Sequence, residues 1–71
     1  MSFPDFVKQV RYTLLFSQQQ LAAALKVSYI TINRWENGHV MPRDLTLRNF
    51  YKFCQKNSID IPPELQKPNE S

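Results

Sequence analysis

Residues 29–37 combine hydrogen-bonding and apolar side chains at a spacing that would bring them to one side of a helix. At about 100° per residue, one arc of such a helix carries a phenol, an isoleucine, a guanidinium and two amides. These residues are Tyr29, Ile30, Asn33, Arg34 and Asn37. Arginine pairs with guanine, asparagine with adenine, and apolar carbon packs on the thymine methyl group. The arc therefore suits the reading of base edges in the DNA major groove, with a solvated polar face as the alternative.

Two predictions compete for this part of the chain. The stretch VSYITI (27–32) has the β-branched composition of a strand, whereas the spacing above requires a helix over residues 29–37. Ser28 can cap a helix that starts at Tyr29, and Gly38 falls where a helix favours a left-handed residue at C′. On this helix, the arc opposite the polar one would face a core. It consists of Thr31, Ile32, Trp35 and Glu36. The start and stop signals therefore favour a helix over the strand propensity.

A second short helix directly precedes this one in the stretch SQQQLAAAL (17–25). Ser17 with Gln20 three residues later forms the pattern of a capping box, and Phe16 with Leu21 that of a hydrophobic staple. The three alanines at 22–24 favour a helix and leave it slim enough for close packing. The sequence thus predicts two short helices that meet at the tight turn KVS.

Two longer helices are predicted on either side of this pair. The first begins near Pro4, a residue suited to the first helical turn, and ends near Leu15. Its apolar arc consists of Phe6, Val7, Val10 and Leu14, with Arg11 at the edge. The other begins at Asp44 and ends at Asn57. Its apolar face, at positions i, i+3, i+4 and i+7, consists of Leu47, Phe50, Tyr51 and Cys54.

The predicted fold is all-α, a compact bundle of four to five short helices. The fifth is a single turn in IDIPPEL (59–65) that covers the core with Ile59, Ile61 and Leu65. Because only one glycine is present, the tight turns of a small β fold are disfavoured. We predict one domain over residues 1–65 and a disordered acidic tail or linker over residues 66–71.

Composition excludes several classes of protein. With one cysteine and one histidine, the chain has no internal disulfide and no metal cluster. It also lacks a nucleophile–base pair and a phosphate-binding glycine loop, so we predict no catalytic residue, no cofactor and no enzyme. The absence of a long apolar run or a signal peptide predicts a cytoplasmic protein without membrane contact. Residues 1–59 carry eight Lys and Arg against three Asp and Glu, which weakly favours a polyanionic partner.

The joint pattern resembles the lambda-repressor-like (Cro/C1-type, XRE) family of helix-turn-helix proteins over roughly residues 5 to 57. The matching residues are Arg11, Leu14, SQ at 17–18, LA at 21–22, Leu25, VS at 27–28, TI at 31–32, WENG at 35–38 and Pro42. The resemblance implies a transcriptional regulator, repressor-like, or the DNA-binding module of a larger protein. Its partner would be double-stranded DNA with a palindromic operator, bound as a homodimer. The alternative is a protein-interaction module, or an antitoxin- or DNA-modification-associated domain, with the same fold.

The resemblance also implies roles for individual residues, with the third helix as the recognition helix. Base contacts are assigned to Tyr29, Ile30, Asn33 and Arg34. Backbone contacts are assigned to Gln18, Ser28, Asn37, His39 and Arg43. For Arg34, a phosphate contact or a surface ion pair remains the alternative to guanine. Gln18 would also brace the recognition helix.

Two further positions concern the fold rather than DNA. In the resembling family, the positions of Arg11 and Glu36 often form a buried ion pair, so we expect that pair here as a structural element. Lys26 departs from the family pattern, which usually has a glycine in the turn because the backbone is left-handed there. A lysine in that conformation costs about 1–2 kcal/mol, so either the turn differs slightly here or the domain carries strain. Lys26 could also reach a phosphate.

Overall fold

A computed structural model describes residues 1–66 of the chain, and five helices joined by short turns make up this part. They are α1 (Phe3–Leu14), α2 (Gln18–Leu25), α3 (Tyr29–Glu36), α4 (Asp44–Lys56) and α5 (Pro63–Gln66). No strand occurs within residues 1–66, which confirms the all-α prediction and makes 29–36 a helix despite its composition. The predicted tail begins with Gln66, which ends α5, and residues 67–71 lie outside the described residues.

The starts of α2 and α3 are fixed by their serine caps. Ser17 Oγ accepts a hydrogen bond from Gln20 N (3.0 Å), and Gln20 Oε1 accepts one from Ser17 N (2.8 Å). Ser28 Oγ accepts a hydrogen bond from Thr31 N (3.1 Å). The predicted capping box and the predicted cap of α3 are both confirmed, so local sequence alone positions the two helix starts.

The end of α3 is fixed by the single glycine of the chain. Gly38 has a φ of 74°, and its N–H donates to Trp35 O (3.3 Å). The N–H of His39 donates to Arg34 O (3.0 Å), which completes a Schellman motif. The chain therefore leaves the helix sharply, and the segment 39–43 starts directly at the C-terminal end of α3.

The turn between α2 and α3 is left-handed at Lys26, where φ is 59° and ψ is 43°. Its N–H donates to Ala23 O (3.2 Å), and that of Val27 donates to Ala22 O (3.0 Å). These bonds satisfy the last carbonyl groups of α2. The turn therefore has the conformation that favours glycine, although a lysine occupies it.

We expect Lys26→Gly to leave stability unchanged or to raise it by about 1 kcal/mol. Glycine relieves the left-handed strain but costs unfolded-state entropy, so the two effects partly cancel. For a domain of this size, that gain corresponds to a melting temperature about 4–8 °C higher. Lys26→Ala is the control, because it removes the charge and keeps the Cβ. A Lys26→Gly melting temperature several degrees below that of the wild type would contradict the strain argument.

An aromatic cluster joins α1, α3 and α4. The ring centroids of Phe3, Trp35 and Phe50 lie 5.7–5.9 Å apart in edge-to-face arrangements, and Phe6 contacts Phe50 at 5.8 Å. All four side chains are buried, so the predicted core position of Trp35 is confirmed. Because Trp35 anchors α3 in this cluster, the opposite side of α3 must face outward.

The segment after α4, which includes α5, covers part of the core. Ile61 is buried, and Ile59 and Leu65 pack against the core, as the sequence predicts. The Tyr51 hydroxyl donates to Leu65 O (3.3 Å) and ties α5 to α4. Among residues 1–66, no helix combines the length and the hydropathy that crossing a membrane would require.

Candidate nucleic-acid interface

The helix α3 has a buried and an exposed side. Ile32, Trp35 and Glu36 are buried, whereas Tyr29 keeps 47% and Ile30 57% of its surface exposed. Exposure of these apolar surfaces to water does not stabilise the fold, because the hydrophobic effect favours their removal from solvent. The exposed side of α3 therefore has the composition of a contact surface rather than of an ordinary solvated face.

The polar residues on this exposed side are of two kinds. Arg34 is exposed, and its guanidinium has no hydrogen bond or ion pair within residues 1–66. Asn33 is half-buried, and its side-chain N–H donates to Gln18 Oε1 (3.4 Å). The Asn37 amide donates to Asn33 O (2.8 Å) and Asn33 Oδ1 (3.2 Å). The Arg34 guanidinium is thus available to a ligand, whereas the side chains of Asn33 and Asn37 hydrogen-bond to each other.

Beneath the recognition helix, Arg11 of α1 forms a bidentate ion pair with Glu36 of α3. Arg11 Nε donates to Glu36 Oε2 (2.5 Å), and Nη2 donates to Oε1 (2.9 Å). The third contact runs from Nη1 to Phe16 O in the turn after α1 (3.1 Å). Both side chains are largely shielded from solvent, with 14% and 4% of their surfaces exposed. The pair therefore connects α3 to α1, and the third contact of Arg11 connects both to the turn that precedes α2.

Gln18 extends this network to α2. Its Nε2 donates to Glu36 Oε1 (3.0 Å), while its Oε1 accepts from Asn33. A continuous set of hydrogen bonds therefore links α1, α2 and α3. Because a side-chain amide has two N–H bonds, one of them remains for a further acceptor such as a phosphate.

The network shifts the pKa values of both charged groups. Burial alone raises the pKa of Glu36, but the hydrogen bonds from Arg11 and Gln18 outweigh it and hold the pKa below 4.5. The hydrogen bond to Glu36 raises the pKa of Arg11 above its ordinary value. Both groups are therefore charged near neutral pH, and the ion pair is fully formed there.

Acid should weaken the fold through Glu36. Because its pKa is lower in the folded than in the unfolded chain, its contribution is fully present above the unfolded value near 4.5. That contribution is lost as the pH falls through the folded pKa. We expect the free energy of unfolding to fall as the pH drops below about 4.5, and to fall less in Glu36→Gln. Urea unfolding followed by circular dichroism at each pH measures the difference.

Glu64→Gln provides the comparison for this experiment. The Glu64 carboxylate forms an ion pair with the amino group of Met1 (2.7 Å), and this hydrogen bond lowers its pKa. The pair is exposed, so solvent screens it and its loss should change the pH profile less. A Glu36→Gln profile as steep as that of the wild type would show that the acid sensitivity comes from other groups.

The predicted backbone contacts lie at helix ends and in the segment after α3. Gln18 and Ser28 stand at the starts of α2 and α3, where the first backbone N–H groups have no intrahelical partner. His39 is exposed directly after the Schellman turn. Arg43 is exposed at the N-cap of α4 and makes no side-chain capping bond. These positions present donors that suit phosphate oxygens.

The structure also shows three exposed large apolar side chains to which the sequence assigned no role, and we call them the apolar patch. Val40, Met41 and Leu45 keep 45%, 55% and 70% of their surfaces exposed. Each of them lies within two residues of His39 or Arg43, two of the predicted backbone contacts. The available signal was three large apolar residues within six positions that contribute nothing to a predicted core face. Val40 and Met41 lie in the segment between α3 and α4, and Leu45 lies in the first turn of α4.

The side chains that commonly bind metal ions lie apart from one another in the described part of the chain. Within residues 1–66, no three His, Cys, Asp or Glu side chains come together as a metal ion would require. Cys54 is buried, and burial raises the pKa of its thiol to about 12. The thiol therefore stays protonated and acts as a small core side chain, as predicted.

Comparison with known proteins agrees with this geometry. A family model described as helix-turn-helix matches residues 7–58, a span from α1 to just beyond α4. Neither a curated protein nor a solved structure gives a significant match to the chain. The matching family consists of DNA-binding domains that are generally regulatory. With more than half of its length covered, the chain belongs to the helix-turn-helix family, in its Cro/C1-type branch.

Proposed function

We propose that the domain is a repressor-like transcriptional regulator that inserts α3 into the major groove of duplex DNA and reads a specific sequence there. The observation that carries this proposal is the exposed side of α3, which presents Tyr29, Ile30 and Arg34 together. A guanidinium beside exposed apolar carbon matches the acceptors of guanine and the methyl group of thymine. The buried Arg11–Glu36 pair holds this helix in one orientation.

The four base-contacting side chains have different roles in this proposal. Arg34 donates to guanine, and Ile30 packs on a thymine methyl group with Tyr29 beside it. Asn33 accepts a hydrogen bond from Asn37 and donates one to Gln18, so a bidentate contact with adenine competes with the latter, a long hydrogen bond of 3.4 Å. A bond of that length is weak, so the exchange is inexpensive. The contact of Asn33 is thus coupled to the side chain that faces the phosphates.

Backbone contacts would set the register of α3 on the duplex. The N-terminus of α2 offers its free backbone N–H groups and the second N–H of Gln18 to one phosphate. Ser28 contributes from the start of α3. Asn37, His39 and Arg43 line the opposite end of α3 and approach the backbone there. Contacts of this kind position the protein but carry no sequence information.

We also propose that two copies bind together on a palindromic operator. The apolar patch of Val40, Met41 and Leu45 supports this, because an apolar surface can meet its own copy across a two-fold axis. Three side chains fall far short of the roughly 800 Å² per partner in a standard interface. Pairing through this patch would therefore form on DNA rather than in free solution.

Selection of bound sites from a random duplex library tests the proposal. We expect one enriched motif that contains a guanine read by Arg34, and its two-fold symmetry would report pairing. Affinity for the selected site should fall steeply with added salt, because phosphate contacts release counterions. Arg43→Ala should weaken binding to all sequences alike and reduce the salt slope by about one.

The competing function is that of a protein-interaction module that uses the same fold. Such a module would select no motif and would show no duplex affinity even at low salt. That result would overturn the proposed base and backbone contacts together. Binding without any enriched motif would retain the backbone contacts and refute sequence reading by α3.

A further inference from the structure

A groove runs between the C-terminal end of α2 and the second half of α4. Its volume is about 600 Å³, and it is open to solvent. The lining residues are Ala24, Leu25, Lys26, Asn49, Lys52, Phe53, Gln55 and Lys56. None of them belongs to α3 or to the assigned base and backbone contacts, although a phosphate contact was considered for Lys26. We call this surface the α2–α4 groove.

The floor of the groove is apolar. Leu25 and Phe53 are only partly buried and pack against the core from this side. Ala24 is exposed at the edge, so the slim α2 leaves room above the two larger side chains. A concave apolar surface of this kind gains free energy when apolar side chains of a ligand cover it.

The rim of the groove is strongly basic. Lys26, Lys52 and Lys56 line it, and none of its lining residues within the described part is Asp or Glu. Neither of the two ion pairs within residues 1–66 involves these lysines. Arg48 lies one helical turn before Lys52, so α4 carries three like charges at intervals of four residues. Like charges at this spacing destabilise a helix, and an acidic ligand would offset their repulsion.

We propose that the α2–α4 groove binds an acidic amphipathic helix of a partner protein. Apolar anchors of such a helix would cover Leu25 and Phe53, and its carboxylates would face the lysines. Duplex DNA is the less suitable ligand, because its phosphate backbone satisfies the lysines but offers nothing apolar to the floor. The domain would then bind DNA through α3 and hold a protein on a separate surface.

The test titrates the isotope-labelled full chain with a synthetic peptide of about four helical turns. The peptide has leucines at i, i+3, i+4 and i+7 with glutamates on both sides. We expect saturable amide shift changes centred on Leu25, Lys52 and Phe53, with affinity that falls as salt is added. A control peptide with every glutamate replaced by lysine should leave these residues unchanged.

A matched pair of variants locates the binding surface. Ala24→Glu places a carboxylate in the groove, whereas Ala23→Glu adds the same charge on a neighbouring exposed residue that does not line it. Ala24→Glu should weaken the peptide by about tenfold or more, and Ala23→Glu much less.

Three results would overturn the proposal. They are absence of peptide binding, equal effects of the two variants, and shifts in the groove caused by a random-sequence duplex but not by the peptide. The DNA-site selection is an independent measurement, so failure of the groove and failure of the proposed DNA reading can be told apart.

Discussion

Arg11→Ala should destabilise the domain by about 3–5 kcal/mol, the cost of removing one partner from a buried ion pair. A chain of 71 residues has a total stability of about 4–11 kcal/mol at typical values per residue. The substitution therefore removes a large share of that stability, and the melting temperature should fall by about 12 °C or more. At physiological temperature, much of the variant would be unfolded.

The size of this effect follows from what the substitution leaves behind. Without the guanidinium, the Glu36 carboxylate keeps only the hydrogen bond from Gln18 while it stays shielded from water. Phe16 O also loses its donor in the turn that leads to α2. Burial of an uncompensated charge raises the pKa of Glu36, so its protonation limits the loss. The attraction between the guanidinium and the Tyr12 ring, 5.2 Å away, disappears as well.

Urea unfolding of the wild type, Arg11→Ala and a set of comparison variants isolates the ion pair. Arg34→Ala is the matched control, because it removes the same side chain from an exposed position without a partner and should change stability by about 0.5 kcal/mol at most. Tyr12→Ala removes the ring beside the guanidinium and measures that contribution. A double variant, Arg11→Met with Glu36→Met, should cost less than the sum of the single changes, since it leaves no charge unpaired.

An Arg11→Ala variant that unfolds at the same urea concentration as Arg34→Ala would contradict the role of the pair. So would a double variant whose loss equals the sum of the two single losses. Either result would mean that solvent or a rearranged side chain replaces Arg11 at little cost. The hydrogen-bonded connection from α1 to α3 would then be incidental to the orientation of the recognition helix.

Helix positions were predictable because they depend on neighbouring residues. Ser17 and Ser28 cap the helices that follow them, and Gly38 takes the left-handed conformation that ends α3. Propensity alone would have made residues 27–32 a strand. The core contacts of Ile32 and Trp35 offset that preference, since tertiary burial outweighs intrinsic propensity. Whether these residues form a helix or a strand therefore depends on which side chains reach the core, and not on their β-branched type alone.

Contacts between distant residues were only partly predictable. The resemblance to known helix-turn-helix proteins indicated that Arg11 pairs with Glu36 and that Gln18 braces α3. The Asn33 amide, by contrast, looks free on a helical wheel, yet it contacts Gln18 across 15 positions of sequence. The exposed patch around Met41 and the α2–α4 groove depend on how helices pack, which periodicity cannot supply.

Arg34→Ala should relax the sequence preference of the domain at one base pair, with a loss of about 1–3 kcal/mol on the selected site. The exposed guanidinium can donate two parallel hydrogen bonds to a guanine, which no other base accepts equally well. Without it, the four base pairs at that position should bind nearly alike. Because the side chain has no partner within residues 1–66, the fold should be unaffected.

Arg34→Lys separates base reading from charge. Lysine keeps the positive charge but lacks the planar pair of donors, so a bidentate contact is lost while an attraction to phosphate persists. If Arg34 reads guanine, the lysine variant should lose much of the discrimination that alanine loses. If Arg34 contacts a phosphate, lysine should restore most of the affinity without any change in preference.

Binding of all single-base variants of the selected site, measured for the three proteins at one salt concentration, decides between these possibilities. Loss confined to one position assigns Arg34 to that base pair. Uniform weakening across all sites would demote it to a backbone contact, and sequence reading would then rest on Tyr29, Ile30 and Asn33. Without a bidentate guanidinium contact, such a domain should show weak preferences, and the motif from the library would be correspondingly short.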